Sequence, residues 1–258
     1  MTLPEGATLF TLPDGRAQPL AEETPVALVF DGVTQAVMMA TPADLEDFLV
    51  GFALTEGVIS AAAELGDIEA VTHPKGIEVR GWLNQSAGAG FRDRRRAMAG
   101  PVGCGLCGID SLEQALRPLD RALPAKTRGE GLSLATATRA LDALRPMQRL
   151  KEATRATHAA GFWSLAEDRI VAIREDVGRH NALDKLIGAL ARAGVDPASG
   201  ALAMTSRLSV DLVQKAVMAG AGTIVAPSSP TALAVAEASA AGLTVFARAE
   251  GGLARYTA

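Results

Sequence analysis

The chain has 258 residues, a formal net charge of −4, 48% hydrophobic residues and only 4% aromatic ones. That length suits one large domain or two small ones with room for a core, and the acidic balance excludes a generally basic nucleic-acid binder. Two cysteines exclude a disulfide scaffold and point to a reducing, cytoplasmic compartment; no apolar run reaches the roughly 18 residues of a membrane span.

Residues 1–21 have neither the basic start nor the apolar core of a signal peptide and are expected as a loose extension. Residues 22–258 are read as a single domain. Its first half, 22–130, holds hairpins, a core helix and the cysteine loop; its second half, 131–258, is α/β. Pro25–Phe30 reads as a strand, Asp31-Gly32 as a hairpin turn and Thr34–Ala40 as the return strand. Thr41-Pro42-Ala43-Asp44 then reads as a helix start, with Thr41 as cap and Pro42 at the first helical position. Leu45, Phe48, Leu49, Phe52 and Ala53 fall on one face, and Gly57 closes the helix. A second hairpin joins Ile68–Thr72 to Ile77–Leu83, and His73 at its turn reads as an exposed imidazole. Four arginines follow in Phe91–Arg96, either a solvated face or a grip for an acidic or phosphorylated partner.

Gly103-Cys104-Gly105-Leu106-Cys107-Gly108 holds both cysteines of the chain. Its glycines open backbone conformations closed to other residues, and Asp110 or Ser111 caps a following helix. A helix N-terminus favours a thiolate. Four readings of the loop stay open: an ordinary turn, half of a zinc site, a dithiol redox pair, and a carrier that accepts sulfur as a persulfide. No pair of close histidines is available to complete a zinc site, and no structural metal is expected.

Ala135–Leu144 reads as a helix ending before Pro146, and Ala153–Ser164 and Ile170–Arg174 as paired strands. The order then becomes strand–helix–strand–helix–strand, which implies a parallel sheet covered by helices. Helices are expected at Ala182–Ala193, Val210–Ala219 and from Ser228-Ser229-Pro230 to Ala240. Strands are expected at Ala201–Thr205, Thr223–Ala226 and Leu243–Phe246. Open α/β sheets bind ligands outside the carboxyl ends of their strands. That edge receives Asp176, Arg179, His180 and Asn181, then Ser206, Arg207 and Ser209, then Ser228 and Ser229, and last Arg248. Serine caps with free helix N–H groups and nearby arginines suit phosphate.

Two motifs carry a resemblance. Glu175-Asp176-Val177-Gly178-Arg179-His180-Asn181-Ala182-Leu183-Asp184-Lys185 and the Cys-Gly-Leu-Cys-Gly loop resemble those of the formate dehydrogenase accessory sulfurtransferases, the FdhD family. Thr41–Gly57, Thr157-His158-Ala159-Ala160, Ser206-Arg207-Leu208-Ser209 and the helix start near Pro230 agree, over about residues 22–257. The resemblance implies a cytidine-deaminase-like α/β/α sandwich with a mixed sheet, plus a small N-terminal hairpin and helix region. It implies a sulfurtransferase that takes sulfur from a cysteine desulfurase. The sulfur goes to the Mo-bis(molybdopterin guanine dinucleotide) cofactor, or its tungsten counterpart, of the formate dehydrogenase catalytic subunit. Cys104 would carry the persulfide; three readings of Cys107 stay open, that it resolves the persulfide, shields it, or is dispensable. Phe246, Ala247, Arg248, Ala249, Glu250 and Gly251 would meet the cofactor and its guanine nucleotide. His158, Asp176 and His180 would orient or protonate the transferring group.

The same fold family contains zinc deaminases, whose His-x-Glu motif this chain lacks: His73, His158 and His180 are followed two residues later by Lys75, Ala160 and Ala182. The alternatives are a cofactor-binding chaperone that moves no sulfur and a dithiol redox protein. A homodimer is expected from the alanine-rich helix faces.

Overall fold

The computed structural model describes residues 3–84, 88 and 132–257. The arginine run, Cys104, Cys107 and the helix expected after Asp110 lie outside them.

Ala7–Thr11 (β1) and Ala17–Ala21 (β2) pair antiparallel. This corrects the expectation of a loose extension. Pro13-Asp14-Gly15 makes the turn, with Gly15 at φ 86° and its N–H donating to the Leu12 carbonyl at 2.9 Å; that residue order is a strong turn signal.

Thr24–Phe30 (β3) and Val33–Ala40 (β4) form the expected hairpin. Asp31 (φ 48°) and Gly32 (φ 76°) supply the two positive dihedrals of its tight turn. Leu45–Thr55 (α1) follows, then Leu65–His73 (β5) and Gly76–Leu83 (β6). The sheet order is β4-β3-β6-β5, with β3 and β6 parallel. Phe48, Leu49, Phe52 and Ala53 of α1 bury their faces with Val26, Leu28, Phe30 and Val79.

The start of α1 is not as expected. Its N-cap is Asp44, in the left-handed region at φ 52° and without a side-chain cap. Thr41 is fully buried and bonded instead to residues far along the chain. Gly57 closes the helix at φ 69°, as read.

Leu134–Leu144 (α2) begins at Ser133, whose hydroxyl accepts from the Thr136 N–H at 3.0 Å. Arg149–Thr154 (α3) takes in Ala153 and Thr154, the first two residues of the expected strand, and Arg155 ends it at φ 61°. The strand His158–Ser164 (β7) therefore starts later than read, and pairs with Arg169–Asp176 (β8). Then come Arg179–Arg192 (α4), Gly200–Met204 (β9), Val210–Met218 (α5), Thr223–Val225 (β10), Ala232–Ala241 (α6), Thr244–Ala249 (β11) and Gly252–Arg255 (β12). Helix α6 is capped by Thr231, whose hydroxyl accepts from the Ala234 N–H at 3.2 Å, not by Ser228 or Ser229. β12 is a strand that the sequence reading did not include.

The six strands lie in the order β12-β11-β10-β9-β7-β8. Pairings β9–β10 and β10–β11 are parallel, and β7 and β12 run against their neighbours. Helices α4, α5 and α6 pack on one face with Phe162, Leu202 and Val245. On the other face α2 packs with Trp163, Ala201, Val225 and Phe246. The expected α/β sandwich with a mixed sheet is what forms.

The two halves meet where α1 crosses α4. A Cβ at Gly51 would lie 1.7 Å from the Asp184 carbonyl oxygen, and one at Gly188 would lie 1.9 Å from that of Asp47. Only glycine permits so close a backbone approach. Among the described residues no helix is long and apolar enough to cross a membrane.

Candidate functional site

The strand directions decide where the chemistry gathers. β8, β9, β10 and β11 run one way; β7 and β12 run the other. The carboxyl ends of four strands therefore share an edge with the beginnings of two. That edge carries His158, Asp176–His180, Thr205–Arg207, Pro227–Ser229 and Arg248–Gly252.

On the α2 side of this edge lies a cleft of about 890 Å³, a size that suits a large small-molecule ligand. One wall is the corner between α2 and α3, with Thr138, Asp142, Arg145, Gln148, Lys151 and Glu152. The other wall is the strand edge, with Thr205, Pro227, Arg248 and Leu253. Arg145, Lys151 and Arg248 bring three cations against two carboxylates. Arg248 stands on a fixed backbone: its carbonyl accepts from Ser229 Oγ at 3.0 Å and from Tyr256 Oη at 2.8 Å.

The acidic-basic motif is a junction. Successive residues of a strand face opposite sides. Glu175 faces α3, where its two oxygens accept the N–H groups of Leu150 at 2.7 Å and Lys151 at 2.8 Å. Asp176 faces the other half of the molecule. It is fully buried and accepts from the N–H groups of Thr41 (3.0 Å) and Gly178 (2.7 Å) and from Asn181 Nδ2 (2.9 Å). Lys185 Nζ lies 2.7 Å from Asp176 and also donates to the Thr41 carbonyl at 2.8 Å. Asn181 Nδ2 further donates to the Met39 carbonyl at 2.9 Å. So every oxygen of Asp176 is engaged in holding Thr41 and α4 together. A proton-transfer role does not fit a carboxylate so fully occupied.

A second buried pair, Lys215–Asp184 at 2.8 Å, joins α5 to α4, and Lys215 also donates to Glu56 at 2.9 Å. Burial alone would lower the Lys215 ammonium, but Asp184 and Glu56 hold it above its ordinary value. His180 lies beside this network, with Nε2 3.7 Å from Asp211 Oδ2. Burial first, and then the charges of Arg179 and Lys215, push the His180 imidazole down to about 4. It is neutral at physiological pH, and its buried Nε2 has no hydrogen-bond partner among the described residues. His158 is also lowered, by burial and by the charges of Lys151 and Arg179. It starts β7 opposite Asp176.

The residues read from the sequence as ligand contacts separate into groups. Arg248 lines the cleft. Ala249, Glu250 and Gly251 lie at the β11–β12 turn beside it and are not among the residues that line it. Phe246 and Ala247 are 2% and 0% exposed, on opposite faces of the sheet, so their side chains belong to the core. Ser206 is buried and donates to the Arg207 carbonyl at 2.9 Å. Ser209 caps α5 by position but makes no side-chain cap bond. Ser228 and Ser229 precede α6 without capping it, and Arg179, His180, Arg207 and Ser209 do not line the cleft.

Arg145, Gln148, Lys151 and Thr205 were missed. Their signal was present: a strand read as the antiparallel partner of β8 must begin at the edge where β8 ends. The helices leading into β7 are thereby delivered to the same edge. Among the described residues no group of three or more His, Cys, Asp or Glu side chains is placed to hold a metal ion.

Comparison with known proteins gives the family. The family model described as FdhD/NarQ matches residues 21–257. The Sulfur carrier protein FdhD of Agrobacterium fabrum is 49% identical over 230 residues, covering 89% of this chain and 83% of the relative. That of Chromobacterium violaceum is 46% identical over 253 residues, covering 95% and 92%. A crystal structure of a candidate formate dehydrogenase accessory protein from Desulfotalea psychrophila superposes with a TM-score of 0.64 at 25% identity, covering 98% of this chain and 95% of that one. With a family match over nearly its whole length and relatives close to half identical, this chain belongs to the FdhD/NarQ family.

Proposed function

We propose that this protein is a sulfur carrier serving formate dehydrogenase. Cys104 takes a sulfur atom from a cysteine desulfurase, and the cleft beneath Arg248 receives the substrate to which it is passed. That substrate is the molybdenum or tungsten bis-pterin guanine dinucleotide cofactor of the dehydrogenase. In the first step the Cys104 thiolate attacks the terminal sulfur of the donor persulfide. A new S–S bond forms on Cys104, the donor's S–S bond breaks, and the donor leaves as a thiolate. In the second step the Cys104 S–S bond breaks, its electron pair stays on Cys104 as the thiolate, and the acceptor supplies the pair that bonds the departing sulfane sulfur.

The observation that carries the reading is the cleft. It opens at the sheet edge, has the volume for a nucleotide end, and sets Arg145, Lys151 and Arg248 around it. Guanidinium groups recognise phosphate by paired hydrogen bonds, and a dinucleotide cofactor offers a pyrophosphate. Thr138, Gln148 and Thr205 add polar side chains for a base or ribose. Family membership and relatives named as sulfur carriers support the sulfur step. Both cysteines lie outside the described residues, so their part rests on the sequence.

The test is intact-mass analysis after incubation with a cysteine desulfurase and cysteine. Wild type gains about 32 Da on Cys104, as persulfidation requires, and Cys104→Ala does not. An unmodified Cys104, or a Cys104→Ala protein that still fully activates formate dehydrogenase, would favour a chaperone that binds cofactor without moving sulfur. A reversible Cys104–Cys107 disulfide with no persulfide would favour a redox protein.

A further inference from the structure

We propose that Glu175 is a positioning residue for the cleft, one that holds the α3 wall in place from across the sheet edge. The inference rests on reading the cleft as a nucleotide berth.

Helix α3 has six residues, far short of the length at which an isolated helix persists in water. Its N-cap residue, Gln148, supplies no side-chain cap. The first-turn N–H groups of Leu150 and Lys151 need acceptors, and Glu175 provides both, one oxygen each, at 2.7 and 2.8 Å. A carboxylate at a helix N-terminus is doubly favoured, by charge-assisted hydrogen bonds and by the helix dipole. Thr157 Oγ1, just before β7, approaches the same carboxylate at 3.4 Å. One side chain of β8 thus fixes the start of α3 and the entry to β7.

The consequence falls on the cleft. Gln148, Lys151 and Glu152 are wall residues, and two of them belong to the turn that Glu175 holds. The opposite wall has its own anchors, because Ser229 and Tyr256 fix the Arg248 carbonyl. Loss of the Glu175 carboxylate would loosen one wall and leave the other. Glu175→Gln keeps one acceptor oxygen but turns an amide NH₂ toward a backbone N–H. One hydrogen bond becomes a donor–donor contact.

The experiment is titration of the full-length protein with GDP as probe, with hydrogen exchange across residues 148–157. For Glu175→Gln we expect roughly a tenfold weaker GDP affinity, the scale set by losing a charge-assisted hydrogen bond. Faster exchange should be confined to α3, and Glu175→Asp, which keeps the charge on a shorter arm, should recover part of the affinity. Equal GDP affinity in wild type and Glu175→Gln overturns the proposal, as does unchanged exchange at α3. A wild type that binds no GDP overturns the cleft reading itself, which is a different result. If Glu175→Gln does not fold, wild type alone decides: GDP should slow exchange at 149–154, and an unchanged rate there refutes the role.

Discussion

Replacing Lys185 by Met tests the junction between the two halves. Lys185 is fully buried, with Nζ 2.7 Å from Asp176 and 2.8 Å from the Thr41 carbonyl, and it lies 5.7 Å over the Phe48 ring. Met matches its volume, so no large cavity opens. What changes is charge: Asp176 is left buried without its counter-ion, and the Thr41 carbonyl loses a donor. Breaking a buried pair by removing one partner costs about 3–5 kcal/mol. Asp176 keeps three donors, from Thr41, Gly178 and Asn181, which places the loss near the lower end, about 3 kcal/mol. For a chain of this length that is a fall of roughly 6–12 °C in Tm. Urea unfolding at neutral pH, with the midpoint and slope both fitted, measures it. The Asp176→Asn/Lys185→Met double variant should recover part of the loss, since no buried charge then stands alone. A Lys185→Met protein within about 1 kcal/mol of wild type would refute the reasoning, because a buried carboxylate cannot lose a cation at 2.7 Å so cheaply.

Three further expectations concern His180, Gly188 and Arg248. His180 has its folded-state value pushed down to about 4 from an ordinary 6.5. Between those values the unfolded chain binds the proton and the folded protein does not, so stability is full above about 6.5 and falls as pH drops toward 4. The full shift corresponds to about 3 kcal/mol; His180→Gln should flatten the fall in urea unfolding between pH 7 and 5, leaving the smaller slope due to His158, and an unchanged slope would contradict it. Gly188→Ala drives a methyl group into the Asp47 carbonyl, 1.9 Å from an ideal Cβ. It should cost at least about 3 kcal/mol, the upper range of overpacking, seen as loss of soluble protein or a large drop in Tm. Arg248→Ala removes an exposed side chain, so Tm should hold while GDP affinity falls roughly tenfold or more, as for a lost phosphate contact; calorimetric titration measures both wild type and variant.

Much of this could be read from residue order. Asp31-Gly32 fixed a hairpin because only a few residue types accept two positive dihedrals in succession. The strand–helix rhythm after β8 places Asp176, Ser206, Arg207, Ser228 and Arg248 at one edge, where the structure has them. The exceptions share a cause: a local pattern overruled by a partner far along the chain. Thr41-Pro42 looks like a helix cap, but the Thr41 N–H belongs to Asp176, 135 residues on. The residues of α3 are good helix formers, but the run is short and has no local cap, because its acceptor is Glu175, about 25 residues farther along the chain. Asp176, read as a chemical group, is a structural one. Half of the cleft comes from the helices before β7; the antiparallel pairing of β7 with β8, legible in the sequence, already implies that they reach this edge, but the residues that line it follow only from how α2 and α3 pack there.

The most direct measurement is a single-turnover transfer. Wild type and Arg248→Ala are first loaded with labelled persulfide sulfur on Cys104, then mixed with the bis-pterin guanine dinucleotide cofactor. If the cleft and the cysteine act on the same molecule, wild type gives up its label to the cofactor and the Arg248 variant, equally loaded, retains most of it. Equal release from both proteins, or none from wild type, would contradict that link.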